Sequence, residues 1–381
     1  MRPTWFAVAA FGLVTSLAAG SLGWLSQDTG VAPGGEQPSN GLLVPTAVMS
    51  ASRAAHTATA LPDGRVLVAG GFVEKGSARG AEIYQPDAGR FSPLPLMIAT
   101  RHSHTATMLP DGRVLIVGGY GAGTTTLATA EVFDPATDAF AATGSLLAPR
   151  AGHIAVLLEN GKVLVAGGLG PGWTFLSSAE LYDPATGRFS PTGSMTVARE
   201  SHVAVRLSNG RTLIVGGHDG RRADIRLLTS AETYDPSSGT FSHAGDMRIR
   251  RHKHDAIVLP NGQVLITGGS DERDDRGVYD SSELFDPKTG KFAIGPAMRL
   301  GRYKHAGSSL LLPSGLVLIA GGAPQAETYD PRHRRFNLVA GEARMAGQFS
   351  AAAPLRSGGA LITGGYGNGG GPRSSAWVYR P

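Results

Sequence analysis

Short, fully apolar runs recur along the chain, each ending on a pair of glycines. Val66-Leu67-Val68-Ala69 runs into Gly70, and Val163-Leu164-Val165-Ala166 into Gly167. The pair begins at Gly70, Gly118, Gly167, Gly216, Gly268, Gly321 and Gly364, at spacings of 48, 49, 49, 52, 53 and 43. Runs of this length, apolar on both faces, predict buried strands. Before each run stands a turn signal: Asp63-Gly64, Asp111-Gly112, Asn160-Gly161, Asn209-Gly210 and Asn261-Gly262, with weaker versions at Ser314-Gly315 and Ser357-Gly358. These residues accept positive φ, so a strand pairs with the run through a two-residue hairpin. After each pair comes a variable stretch, then Ala-Glu-x-Tyr/Phe-Asp-Pro, as in Ala179 to Pro184. That motif predicts a third strand. The Asp-Pro-x-x-Gly turn after it and the aromatic at Phe91, Phe140, Phe189, Phe241, Phe292 and Phe336 predict a fourth.

Four antiparallel strands in each unit of about fifty residues predict an all-β, seven-bladed β-propeller of four-stranded blades. The seventh unit stops one strand short, at Tyr379-Arg380-Pro381. Residues 41–49 (GLLVPTAVM) align with Arg188 to Met195, so an N-terminal strand is expected to complete the last blade. That closure leaves no open sheet edge.

The domain is expected over residues 41–381, after a targeting segment and a linker. No formal charge falls between Arg2 and Asp28, and Trp5 to Leu25 is apolar or small. Residues 1–25 therefore read as a secretory signal, cleaved near Gly20, or as a membrane anchor flanked by Trp5 and Trp24. Residues 26–40 are Gly-, Pro- and polar-rich, which reads as a flexible linker. Either way the body is expected to be exported, whether periplasmic, secreted or N-terminally anchored. The chain holds no cysteine, which excludes disulfides, thiolate metal sites, a cysteine nucleophile and a lipidated cysteine. Net charge is +5 with no block of like charges, so nucleic-acid binding is not expected.

The glycine pair after an apolar strand, the downstream Glu-x-Tyr-Asp-Pro, the fourth-strand aromatic and an arginine before the next unit resemble kelch repeats over about residues 41–381. The likeness is to bacterial exported kelch proteins and, more distantly, to galactose oxidase-like propellers. It implies the propeller fold. Those copper oxidases use a cysteine-crosslinked tyrosine radical, which a chain without cysteine cannot form. The kelch-type sialic acid mutarotase normally has six blades, so its active site does not transfer to seven.

Each unit junction carries an arginine: Arg53, Arg101, Arg150, Arg199, Arg251, Arg302 and Arg344. A histidine stands three residues later at His56, His104, His153, His202, His254 and His305. One reading is a ring of donors for carboxylate, sulfate or phosphate; in kelch-type ubiquitin-ligase adaptors, arginines at the matching junction bind acidic peptides. The other is scaffold, since residues present in every unit serve every unit. The third strand carries Glu82, Glu131, Glu180, Glu232, Glu283 and Glu327, whereas the seventh unit has Trp377 there and Gly347 in the histidine's place. Their joint loss suggests that histidine and glutamate share a polar network, while the retained Arg344 keeps the arginines open as a site. Histidines spread one per unit do not make a metal site, and Asp271 to Asp275, interrupted by Arg273, reads as a solvated loop rather than a calcium loop.

Function is expected where units differ. Gly170 to Ser178 holds Trp173, which reads equally as a sugar face or partner anchor and as a side chain packed against the next blade, and His218 to Ser230 holds three arginines. Lys253, Tyr303 and Lys304 enrich the fifth and sixth junctions in basic groups. No catalytic motif emerges. The expectation is a monomeric binding or interaction module acting through one loop-rich, Arg-lined face on a protein partner or an anionic or carbohydrate ligand. The alternative is a carbohydrate-active enzyme (epimerase, mutarotase or lyase) on an anionic sugar. No cofactor, no metal, and no membrane contact beyond an N-terminal anchor are expected.

Overall fold

The hairpin and turn chemistry of the repeat produces one geometry seven times. The computed structural model describes residues 41–74, 76–341, 347–367 and 370–381. The expected export segment, the linker before residue 41 and Arg344 lie outside the described residues. In blade 3 the strands Ile154–Leu157, Val163–Ala166, Ala179–Asp183 and Arg188–Pro191 pair antiparallel in chain order. Gly161, at φ +80, closes the first turn with its N–H on Leu158 O at 3.1 Å. Asp183 closes the other: its Oδ1 accepts Ala185 N–H and its carbonyl accepts Gly187 N–H.

Burial falls from the second strand outward. Val163 to Ala166 is wholly buried, whereas the fourth strand is largely exposed. Tyr182 lies directly opposite Phe189, with ring centroids 4.9 Å apart. Five other blades repeat the pair at 4.7–5.0 Å. Apolar layers bridge neighbouring blades: Leu164 and Ala166 of blade 3 pack with Ile214 and Tyr234 of blade 4, and the linker side chain of Met195 is buried between them.

The first strands of successive blades lie side by side around a central channel, and Thr57–Ala60 of blade 1 meets Ala351–Pro354 of blade 7. Blade 7 is completed by Leu42–Pro45, antiparallel to Ala376–Arg380 in the register Leu42↔Arg380 to Pro45↔Trp377. A fifth strand, Ala340–Gly341, adds parallel to Leu42 and Leu43. Nothing in the repeat signals it, because it belongs to the linker leaving blade 6. Helical structure among the described residues is limited to three-residue 3-10 turns, and none is long and apolar enough to cross a membrane.

Leu43, 2% exposed, anchors the closing strand in the core of blades 6 and 7. Leu43→Ala should cost about 2–5 kcal/mol, and deleting residues 41–49 should expose the Ala376–Arg380 edge and cause aggregation. Thermal unfolding with light scattering reads both; an unchanged transition after the deletion would refute the closure.

Candidate functional site

The junction arginines are not solvent-facing. Arg53, Arg101, Arg150, Arg199, Arg251 and Arg302 are 0–2% exposed, and each pairs with the third-strand glutamate of the blade it leads into, at 2.8–3.2 Å. Arg150 shows the pattern. Its Nη2 meets Glu180 Oε1 at 2.9 Å, while Nη1 donates to the carbonyls of Gly167 and Ser178. Glu180 also accepts the N–H groups of Leu147 and Ala148 in the incoming linker. One ion pair thus ties linker, glycine pair and third strand together. Burial pushes these guanidinium groups down from their usual pKa at Arg101, Arg150, Arg199, Arg251 and Arg302, and the paired glutamate opposes it.

The histidines serve a different partner from the one the sequence suggests. His153 turns back to the preceding blade, where Nε2 meets Thr105 Oγ1 at 3.0 Å and the ring fills the space above Gly118. A Cβ on Gly118, whose φ is +60, would stand 2.5 Å from Arg150 O and 2.8 Å from His153 Cε1, which explains the glycine. The junction turn therefore sends arginine forward to its glutamate and histidine backward, in two networks rather than one. At His202 and His254, Ile154 and Val203 stand where Thr105 does, and Nε2 of both is left without a partner.

Blade 7 also shifts the sequence alignment. Gln348 bridges Tyr366 as His102 bridges Tyr120, and Gly347 O accepts the N–H of Gly322 as Arg101 O accepts that of Gly71. Gly347 therefore takes the arginine's place and Ser350 the histidine's. Gly347, Ser350 and Trp377 thus stand in the places of the arginine, histidine and glutamate in blade 7, and Arg344 lies outside the described residues.

Two residues beyond each junction arginine, the backbone adopts left-handed φ at Ala55, Ser103, Gly152, Ser201, Lys253 and Lys304, as it does at Phe349. Their peptides join into a collar at one end of the channel, open between Gly152 and Ser201: Ser103 N–H to Ala55 O, Gly152 to Ser103, Lys253 to Ser201, Lys304 to Lys253, Phe349 to Lys304 and Ala55 to Phe349, at 2.7–3.1 Å. Around it lie the residues after each arginine and after each glycine pair, which differ from blade to blade. Phe72, His102, Tyr120 and Trp173 form a continuous aromatic arc, with Arg221 Cζ 3.7 Å from the Trp173 ring centroid. Glu200, His218 and His252 follow: His218 Nε2 is 3.5 Å from Glu200, and the two Nδ1 atoms face each other at 3.3 Å. Then come Asp274, bound to Lys253 Nζ at 2.7 Å, and Lys304, whose Nζ stands over the Tyr303 and Phe349 rings and reaches Gln348.

Burial keeps His252 neutral, at about 3, and also lowers His218. It pushes Tyr303 up to about 12, with Asp274 adding to the rise, and lowers Lys304. Burial would raise Asp274, but Lys253 and Lys304 together hold it below its usual value.

Of the sequence candidates, the structure brings Lys253, Tyr303, Lys304 and Trp173 to this mouth and places the six described arginines inside the blades. His102, Tyr120, Glu200, His218 and Tyr366 join them at the mouth; their shared signal is position, one residue past the arginine or past the glycine pair, whereas Asp274 comes from the Asp271 to Asp275 run that reads from sequence as a solvated loop. Among the described residues no group of three or more His, Asp or Glu is arranged to hold a metal.

The Kelch motif family model matches residues 156–196 and 201–248. No curated protein matches the sequence at a significant level. Among solved structures, a fungal alcohol oxidase of the AA5 family, determined in complex with copper, is similar with a TM-score of 0.57 and 19% identity, over 86% of this chain. This chain spans only 62% of that oxidase's length. The structure of YjhT is similar with a TM-score of 0.59 and 12% identity, over 87% of this chain and 96% of that one. The fold is a seven-bladed β-propeller, and two of its blades match the Kelch motif; the junction geometry of those two recurs in six blades and is worn down in the seventh. A kelch propeller serves broadly as a binding or interaction module.

The six buried junction histidines make acid stability a direct test. His56, His153 and His305 are lowered to about 3 by burial and by the nearby arginines, and His104, His202 and His254 fall well below the ordinary value. The unfolded chain takes up these protons near pH 6.5 and the folded chain does not, so the stability is present above about 6.5 and lost as pH falls toward 3. The melting temperature should drop steadily between pH 6.5 and 4; equal values at pH 7.5 and 5 would contradict it.

Proposed function

We propose that this protein is an exported binding propeller whose ligand seat is the collar mouth, taking an anionic or carbohydrate ligand there. The observation that carries this reading is the convergence of the blade-specific side chains on one end of the channel. Residues common to the blades turn inward to hold the scaffold, which frees the collar to vary. The aromatic arc from Phe72 to Trp173 suits a sugar face or an apolar partner surface, and Lys253 and Lys304 supply the positive end. Export is supported by the charge-free, apolar stretch after Arg2.

A second reading, a carbohydrate-active enzyme, is favoured by the run of facing titratable groups from Glu200 through His218 and His252 to Asp274. Neutral imidazoles between two carboxylates are equipped to move a proton on a bound sugar. Under this reading His252 acts as the acid or base and Lys253 orients the anion.

A thermal-shift screen of the full chain against neutral and anionic sugars and acidic peptides tests the seat. A ligand at about 100 times its dissociation constant adds roughly 2.7 kcal/mol, a shift of several degrees. The shift should vanish in Trp173→Ala combined with Lys253→Met and persist in Arg211→Ala, an exposed position by the hairpin turn at the far end of blade 4. Loss in the far-end variant alone would move the seat away from the collar. Turnover of the stabilising sugar that is lost in His252→Gln would select the enzyme reading.

A further inference from the structure

The geometry points to a carboxylate site formed by Lys253, Lys304 and His252 Nε2, occupied in the free protein by the chain's own Asp274 and exchanged for the carboxylate of a ligand. The inference rests on the collar mouth being the ligand seat.

The occupant fits only in part. Asp274 Oδ1 is 2.7 Å from Lys253 Nζ, but Lys304 Nζ stays 3.9 Å from Oδ2 and His252 Nε2 stays 3.8 Å from Oδ1. The last two exceed hydrogen-bond length. His252 is 2% exposed, and its Nε2 is buried without a partner. A buried nitrogen left unpaired beside an anion marks a seat that a better-placed anion would fill. When His218 Nδ1 donates to His252 Nδ1, the proton of the neutral His252 ring sits on Nε2, facing this seat. Both ammonium groups act on Asp274, and Asp275 adds a weaker negative influence at Lys304.

The two sides of the contact differ in rigidity. Lys253 and Lys304 project from the collar, where Lys304 N–H donates to Lys253 O at 2.7 Å. Asp274 rides on the loop Asp271 to Gly277, with a left-handed φ of +59 and a side chain 40% exposed. That loop is tied to itself through Arg273 on Asp271 and Asp271 N–H on Gly277 O, and to the linker through Arg250 on Glu272 at 3.2 Å. The left-handed φ at Asp274 is kept by its own turn, with Asp274 N–H on Asp271 O and Gly277 N–H on Asp274 O, while its carboxylate is held to the collar by one short ion pair and is released when another carboxylate takes the lysines. Tyr303 and Phe349 flank Lys304 and offer ring faces to whatever carries the carboxylate.

Calorimetric titration of the full chain with acetate, glucuronate and glucose is the test. Asp274→Asn should bind glucuronate at least about tenfold more tightly than the wild type and should ignore glucose. The gain should disappear when Lys253→Met and Lys304→Met are added. Equal gains for acetate and glucuronate make the seat a general carboxylate site; a larger gain for glucuronate makes it a sugar-acid site. No gain for either probe, or a gain that survives loss of both lysines, overturns the exchange. A second reading needs no variant: saturating glucuronate should speed tryptic cleavage of the wild type after Arg273 and Arg276 several-fold, and unchanged cleavage overturns it. If a neutral ligand still loses its thermal shift in the Trp173→Ala and Lys253→Met protein, the collar seat stands and only the exchange falls.

Discussion

The propeller depends on burying a full ion pair at six of its seven junctions. A guanidinium and a carboxylate taken out of water cost several kcal/mol each, and their attraction offsets that only when geometry and extra hydrogen bonds are good. Here the extra bonds are supplied by the parts that must be brought together. The arginine takes the carbonyls of the glycine pair and of the third strand, and the glutamate takes the linker N–H groups. Removing either partner strands a buried charge, so the pair fixes where each linker enters its blade.

That fixed point sets up everything at the mouth. Two residues past each arginine the chain turns left-handed and joins the collar, and one residue past it a side chain is presented to the channel opening. The glycine pair performs the matching service from the second strand. Scaffold and seat are therefore adjacent in sequence but separate in space, and a blade can change His252 or Tyr303 without touching Arg251 or Arg302. The strained backbone of Lys253 and Lys304 is carried by this framework.

Much of the architecture was legible because each blade restates it. Asn160-Gly161, the run Val163 to Ala166 and Asp183 to Gly187 identify strands and turns by local chemistry alone, and seven copies count the blades. The closing strand at Leu42 to Pro45 was legible from the missing fourth strand of the last unit. Three things were not. The direction in which His153 turns depends on the junction's three-dimensional course, so its partner Thr105, 48 positions earlier, has no local signal. The register of blade 7 could not be read from Arg344, because arginine, histidine and glutamate are all replaced there and nothing marks the frame. The seat itself joins Glu200, His218, His252, Asp274 and Lys304, residues from separate blades that only ring closure brings together.

The most direct measurement of the staple is a double-mutant cycle at Arg150 and Glu180, read by denaturant unfolding. Arg150→Met and Glu180→Leu should each lose about 3–5 kcal/mol, and the double variant should lose clearly less than their sum because no buried charge is left alone. An Arg150→Met protein that unfolds like the wild type would contradict the staple and return the arginines to the list of ligand-binding residues.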